Sequence, residues 1–260
     1  MAKVAIEDLS GVSTPSTSNP YDGLIQASDN DPKKLQERYQ LHRVARNARQ
    51  KAEILADNFS GWVLDEHLTK LEGPQRDADY RDPRHCLVLW ARPPQKVKNL
   101  VQVIQQKLKD AAPNLWLMPI ANLHMTALEV THSKTEAEID DLVSRLKPSA
   151  NAGVHVGSRY VVPSAHLTIA RFNSLNPFDG DPLDASVGLD IQTRRRWLNE
   201  VEMINKWLEA EFWPEQHDNK IRPGGEWTVG EEKGLDFRRG TLCKLSEFTE
   251  AYAQLRQRNL

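Results

Sequence analysis

The sequence predicts an α+β or mixed α/β fold, on three observations. The chain has 260 residues, 39% of them hydrophobic, enough for one large domain or two small lobes around a sizeable core. Apolar positions switch repeatedly between the alternating period of strands and the longer period of helices. The strand-like runs are too short to build a large parallel sheet. No repeat of solenoid length, phosphate-binding glycine loop or dinucleotide fingerprint interrupts this pattern.

Taken in order, residues 1–32 carry Ser10, Ser13, Thr14, Pro15, Ser16, Thr17, Ser18, Asn19 and Pro20 with few large apolar groups. Burial there is too small to offset the entropy of ordering, which predicts a disordered tail. From Lys33 to about Ala56 the chain lacks Gly and Pro and is rich in Arg, Lys, Gln, Ala and Leu, so a basic helix is expected. Its cations, Lys33, Lys34, Arg38, Arg43, Arg46, Arg49 and Lys51, read as a solvated face, with contact to RNA phosphates as the alternative. The polar stretch Glu72 to Arg84, with Gly73, Pro74 and Pro83, separates this helical extension, residues 33–83, from a folded domain expected over 84–242.

Within that domain, Cys86 to Ala91 is a short apolar run ending before Pro93 and Pro94, which suits a buried strand. Val97, Leu100, Val101, Val103, Ile104 and Leu108 then recur at helical spacing, with Lys98, Lys107 and Lys109 marking the opposite side. Trp116 to Val130 reads as extended structure containing Pro119. Glu136 to Leu146 is an amphipathic helix with Ile139, Leu142 and Leu146 on one side and Pro148 beyond its end. Val154 to Phe172 returns to strand. Arg194 to Phe212 carries a helical stripe through Trp197, Val201, Ile204 and Leu208. A strand around Trp227 and a charged helical segment over 243–260 complete the prediction.

Composition excludes several functions. With 34 basic and 36 acidic residues the net charge is -2, so overall charge does not draw the chain to a polyanion. Cys86 and Cys243 are the only cysteines, too few for a disulfide framework or a thiolate zinc site, and they favour a reducing, intracellular compartment, cytoplasmic or nuclear. No run approaches the roughly 18 to 20 apolar residues of a membrane span, and no charged start followed by an apolar block opens the chain. Neither membrane insertion nor secretion is expected.

Two segments carry chemistry: Leu123-His124-Met125-Thr126-Ala127-Leu128 and Ala165-His166-Leu167-Thr168-Ile169-Ala170. Each is His-x-Thr inside an apolar, strand-like run. On a strand, residues i and i+2 share a face, so His124 lies beside Thr126 and His166 beside Thr168, while Leu123, Met125, Leu167 and Ile169 point into a core. If the strands are neighbours, two imidazoles and two hydroxyls converge on a volume the size of a phosphate. One imidazole then removes a proton from water or a ribose hydroxyl and the other protonates the leaving oxygen. A pKa near neutrality for each lets both forms coexist. Thr126 and Thr168 donate to non-bridging oxygens. The scheme calls for no metal and no cofactor.

Either motif alone is more economically read as a core or surface histidine, and it is the matched pair that points to a site. His67-Leu68-Thr69 shares the spacing but sits where Trp62, Leu64, Leu68 and Leu71 suit a helix, on which His and Thr diverge. It is read as structural. His85, His132 and His155 fall at no metal-ligand spacing. Ser164, two residues before His166, lacks a third partner for nucleophilic catalysis, and Trp116 and Tyr160 are better placed in packing than in base stacking.

The doubled motif resembles the two-histidine (2H) phosphoesterase superfamily, which includes 2′-5′ RNA ligase-like proteins and cyclic nucleotide phosphodiesterases, and most of all a fungal group of that description. The resemblance covers residues 84–242. It implies a bilobal fold of two small antiparallel sheets flanked by helices, with His124, Thr126, His166 and Thr168 in the cleft. The interval of 42 residues between the histidines is shorter than the family's usual one, so the second lobe is expected to be incomplete. The expected activity is a metal-independent phosphodiesterase acting on 2′,3′-cyclic phosphate or 2′-5′ linked RNA-type nucleotides, with a nucleotide or RNA end as its partner. The alternative is a catalytically impaired nucleotide- or RNA-binding module with the same cleft.

Overall fold

In the computed structural model the described residues are 10–12, 21–146, 165–213, 222–232 and 234–241. Most of the expected tail, the strand segment 154–164 and the charged segment 243–260 lie outside them. The fold is α+β, with seven α-helices and two small antiparallel sheets among the described residues. None of these helices is long and apolar enough to cross a membrane. The chain divides into two compact units, residues 1–59 with 158–165, and residues 60–157 with 166–260.

In the first unit, α1 (Asp22–Ser28) occupies sequence that was expected to belong to the tail. Its end is fixed locally. The Ser28 hydroxyl donates to the carbonyls of Leu24 and Ile25, and Asp29 adopts a left-handed conformation. Helix α2 (Pro32–Leu55) starts where Asp31 accepts from the Lys33 amide and Pro32 supplies a fitting first-turn φ. Its residues 44–53 are all exposed.

The second unit begins well before the expected boundary at residue 84. Trp62 lies against Phe172, 4.7 Å between ring centroids, and meets Phe178 edge-on at 5.8 Å. Helix α3 (Glu66–Glu72), capped by Asp65, buries Leu68, and its Glu72 accepts from the Trp116 indole. Residues 60–83 are therefore part of the folded unit. The Gly and Pro of the polar stretch make a turn within it rather than a linker.

Strand β1 (His85–Ala91) is central in a sheet ordered β3-β1-β5, where β3 is Met125–Lys134 and β5 is Leu235–Thr241, all antiparallel. The strand expected at Trp227 is instead this one. Trp227 sits in a turn-rich loop and packs against Val97, Val101 and Leu123. Helix α4 (Gln95–Ala111) follows the two prolines and buries Val97, Val101, Ile104 and Leu108. The run expected to be extended from Trp116 is broken at Pro119, which leads into a short 3₁₀ turn, Ile120–Asn122. That leaves β2 (Trp116–Leu117) to pair with β4 (Ala170–Arg171) in a second sheet of two-residue strands.

Helix α5 (Glu136–Leu146) opens with a capping box: Glu138 accepts from the Thr135 amide, and the Thr135 hydroxyl accepts from the Glu138 amide. It packs over Leu87, Val130 and Phe237 through Ile139 and Val143. After α6 (Ala185–Leu189), helix α7 (Ile191–Phe212) starts earlier than its stripe predicts, because Asp190 caps it through the Thr193 amide. Trp197 and Ile204 join Ile104, Leu108, Leu115 and Phe178 in the largest core cluster. Gln105 on α4 is buried and donates to the carbonyls of both Met118 and Ile169, at 2.8 and 2.9 Å, so the helix holds the two short strands together from one side.

Candidate active site

Both His-x-Thr motifs, 124–126 and 166–168, belong to the second unit, and the structure joins them at one point. Met125 and Leu167 form an antiparallel β-bridge. One residue further on each side, that register sets His124 opposite Thr168 and Thr126 opposite His166. Leu123, Leu167 and Ile169 all lie in the core cluster beneath α4, so the residues alternating with them face the other way. The two imidazoles are diagonal neighbours across the bridge, a relation that puts Cα atoms about 7 to 8 Å apart. His166 is exposed; His124, Thr126 and Thr168 are half-buried.

The same face continues across the first sheet. Thr126 on β3 is opposite Trp90 on β1, and Trp90 is opposite Asp236 on β5. One row therefore reads Asp236, Trp90, Thr126, His166. The next row begins with Arg92, one residue beyond the Ala91 and Met125 pair, followed by His124 and Thr168. A register shift between Leu89 and Trp90 leaves Ala127 as an extra residue on β3, directly after Thr126. Bulges of this kind re-aim side chains where a strand carries function.

The Trp90 ring is 2% exposed and stacks on His124 with centroids 3.5 Å apart and planes within 14°. The guanidiniums of Arg92 and Arg238 lie 4.9 and 6.0 Å from the centroid of the same indole. Asp236 ties the two together, accepting from Arg92 Nε at 2.9 Å and from Arg238 at 3.0 Å. Although burial opposes it, these hydrogen bonds hold the Asp236 carboxyl below its ordinary value. Arg92 also donates to the carbonyls of Leu123 and Ala121, fixing the turn that precedes His124.

Nδ1 of His124 is 2.7 Å from the Asn122 carbonyl oxygen. A carbonyl can only accept, so Nδ1 carries the proton and Nε2 is left with its lone pair in the neutral ring. Burial lowers the His124 pKa to about 4, the hydrogen bond to Asn122 opposing this and the charges of Arg92, His166 and Arg171 reinforcing it. The near-neutral value expected for both histidines is thus corrected for His124. Arg171 itself pairs with Asp65 at 2.9 Å.

Two other histidines of the described residues, His67 and His132, have separate partners. His67 bonds the Tyr80 hydroxyl and lies 3.7 Å from Asp82, whereas the Thr69 hydroxyl donates to the carbonyls of Asp65 and Asn173. The two diverge, as a helix requires. His132 bonds the neighbouring Ser133 hydroxyl. Tyr160, His155 and Ser164 lie outside the described residues, and Trp116 is engaged with Glu72. Among the described residues no three His, Cys, Asp or Glu gather to hold a metal ion.

Sequence reasoning missed Trp90, Arg92, Asp236 and Arg238. The signal was present as two pairs at strand spacing, Trp90 and Arg92 at the end of the apolar run Cys86 to Ala91, and Asp236 and Arg238 on either side of Phe237. No family model, no curated protein and no solved structure matches the chain.

Proposed function

We propose that the chain is a metal-independent phosphodiesterase of the two-histidine type, opening 2′,3′-cyclic phosphates or 2′-5′ linkages of RNA-type nucleotides. The observation that carries this reading is the Met125 and Leu167 bridge, which sets both His-x-Thr motifs on one face. In the proposed reaction, His124 Nε2 takes a proton from a water molecule whose oxygen adds to phosphorus. The bond from phosphorus to one ribose oxygen breaks, and protonated His166 gives that oxygen its proton. Thr126 and Thr168 donate to the non-bridging oxygens and hold the phosphorus in line. A neutral His124 with its Nδ1 proton committed to Asn122 supports the base role for this histidine. His166, exposed on the same face, is assigned the acid role.

The test is turnover of a 2′,3′-cyclic nucleotide and of a 2′-5′ linked dinucleotide. His124→Ala and His166→Ala are each expected to lower the rate by about 10²-fold or more, the range for losing a positioned acid or base, with much smaller effects on nucleotide affinity. Unchanged turnover in both variants rejects the reading. One feature favours a binding module with the same face: β2 and β4 have two residues each, so the half carrying His166 and Thr168 rests on short pairing. Nucleotide binding by the wild type without turnover of either substrate decides for that module.

A further inference from the structure

Beside the two His-x-Thr motifs, on the same face of the first sheet, lies a group of side chains that the proposed chemistry does not use. We infer that Trp90, clamped by Arg92, Arg238 and Asp236, is a positioning residue that fixes the His124 ring with Nε2 turned toward the substrate. The inference rests on the proposed acid and base chemistry for its functional meaning, and on geometry for everything else.

An imidazole attached to a strand end has two soft torsions, and its Nδ1 hydrogen bond alone leaves the ring free to tilt about that bond. A flat partner removes that freedom. Trp90 is such a partner: nearly parallel to His124, in contact across the whole ring, and buried. It is itself immobilised from several sides. Cys86 and Val88 cluster with it along β1, and the Asp236-linked guanidiniums of Arg92 and Arg238 lie close to its ring. The contacts converge on one atom. With Nδ1 bound to Asn122 and one face of the ring covered by indole, Nε2 is the ring nitrogen left for a ligand.

The arrangement also explains why the charges around His124 do not collapse the site. Arg92 and Arg238 share Asp236, and Arg171 is neutralised by Asp65, so cations near the imidazole have carboxylates of their own. Among the described residues, Arg92, His166 and Arg171 are the groups whose charge acts on His124. Stacking against a buried ring keeps water from one side, and the guanidiniums oppose a second positive charge. Both effects favour the neutral, accepting form of the imidazole. Loss of either partner should let the ring take up a proton more readily.

The deciding experiment is nitrogen NMR of the histidine side chains over a pH series, on the full chain, for wild type, Trp90→Leu, Trp90→Phe and Arg92→Gln, with steady-state kinetics on a 2′,3′-cyclic nucleotide in parallel. In the wild type His124 is expected in the Nδ1-protonated tautomer, the less common one for a free histidine side chain. Trp90→Leu should give a mixture of tautomers and a higher titration midpoint, with kcat reduced about tenfold or more and KM little changed, the signature of a misplaced proton acceptor. Trp90→Phe keeps a flat partner and should recover most of the tautomer preference and rate. Arg92→Gln, less buried than Trp90, should raise the His124 midpoint and covers the case in which Trp90→Leu fails to fold. An unaltered tautomer and midpoint in folded Trp90→Leu, or in Arg92→Gln if that protein alone folds, overturns the positioning role. Because the NMR readout needs no turnover, an inactive wild type would reject the enzymatic reading while leaving the positioning question answered.

Discussion

Acidification should cost this protein stability through His124 in particular, and the size of the effect follows from its surroundings. An unfolded chain holds this histidine near its ordinary pKa of 6.5, whereas burial in the folded state lowers it to about 4. Between these values the unfolded chain binds a proton that the folded protein refuses. The contribution is therefore fully present above pH 6.5 and is lost as the pH falls toward 4. One pKa unit corresponds to roughly 1.4 kcal/mol, so the whole difference is about 3 kcal/mol. The ring is only half-buried, and solvent screening reduces the expected figure to about 2 kcal/mol. Urea unfolding of wild type and His124→Gln, at about pH 7 and about pH 4, isolates this contribution by difference. Asp236 and Asp82, also held below their ordinary values, lose stabilisation on acidification too, but in both proteins alike. The variant should lose about 2 kcal/mol less than the wild type between the two pH values. Equal losses in the two proteins would refute the account of His124 as an imidazole kept neutral by burial.

Other expectations concern the site and its support. Thr126→Ala and Thr168→Ala should weaken nucleotide binding and kcat/KM together, each by roughly 1.5 to 3 kcal/mol, the range for a hydrogen bond to a charged group, as read by titration and steady-state kinetics. Turnover should persist after exhaustive treatment with a chelator; activity lost and then restored by zinc or magnesium would replace the proposed mechanism with a metal-dependent one. His67→Ala should leave turnover unchanged while lowering stability by about 1 kcal/mol, because its hydrogen bond to Tyr80 is structural. Leu68→Ala should destabilise the second unit by about 2 to 5 kcal/mol in chemical denaturation, and a value near zero would argue that residues 60–83 are an appendage.

Those elements whose evidence is local were legible in the sequence. Helices α4, α5 and α7 each carry an apolar stripe at helical spacing, and β1 carries a continuous apolar run, so burial of each is announced within a dozen or so residues. Membership of the second unit by residues 60–83 was not legible. It depends on Trp62 meeting Phe172 and on the Thr69 hydroxyl reaching the Asn173 carbonyl, partners remote in sequence that no window contains. The confusion of Trp227 with a strand has the same origin. A large apolar residue marks burial but not conformation, and Trp227 reaches the core from a loop bounded by Gly224, Gly225 and Gly230.

For the candidate site, the sequence shows which side chains share a strand face, and pairing between strands decides which faces meet. His124 with Thr126, and His166 with Thr168, follow from alternation alone. Their adjacency follows from one bridge at Met125 and Leu167, and the arrival of Trp90 and Asp236 in the same row follows from the registers of β1 with β3 and β5. The same distinction accounts for the pKa of His124. A histidine in an apolar run suggests an ordinary imidazole until a buried indole lies flat upon it and guanidiniums approach from neighbouring strands. The bulge at Ala127 joins the two scales, since one inserted residue changes which side chain of β3 stands opposite Trp90. Without it, the continuous register from Leu89 and Leu128 would put Ala127 opposite Trp90 and Thr126 opposite Ala91, turning Thr126 and its neighbour His166 away from the face of Trp90.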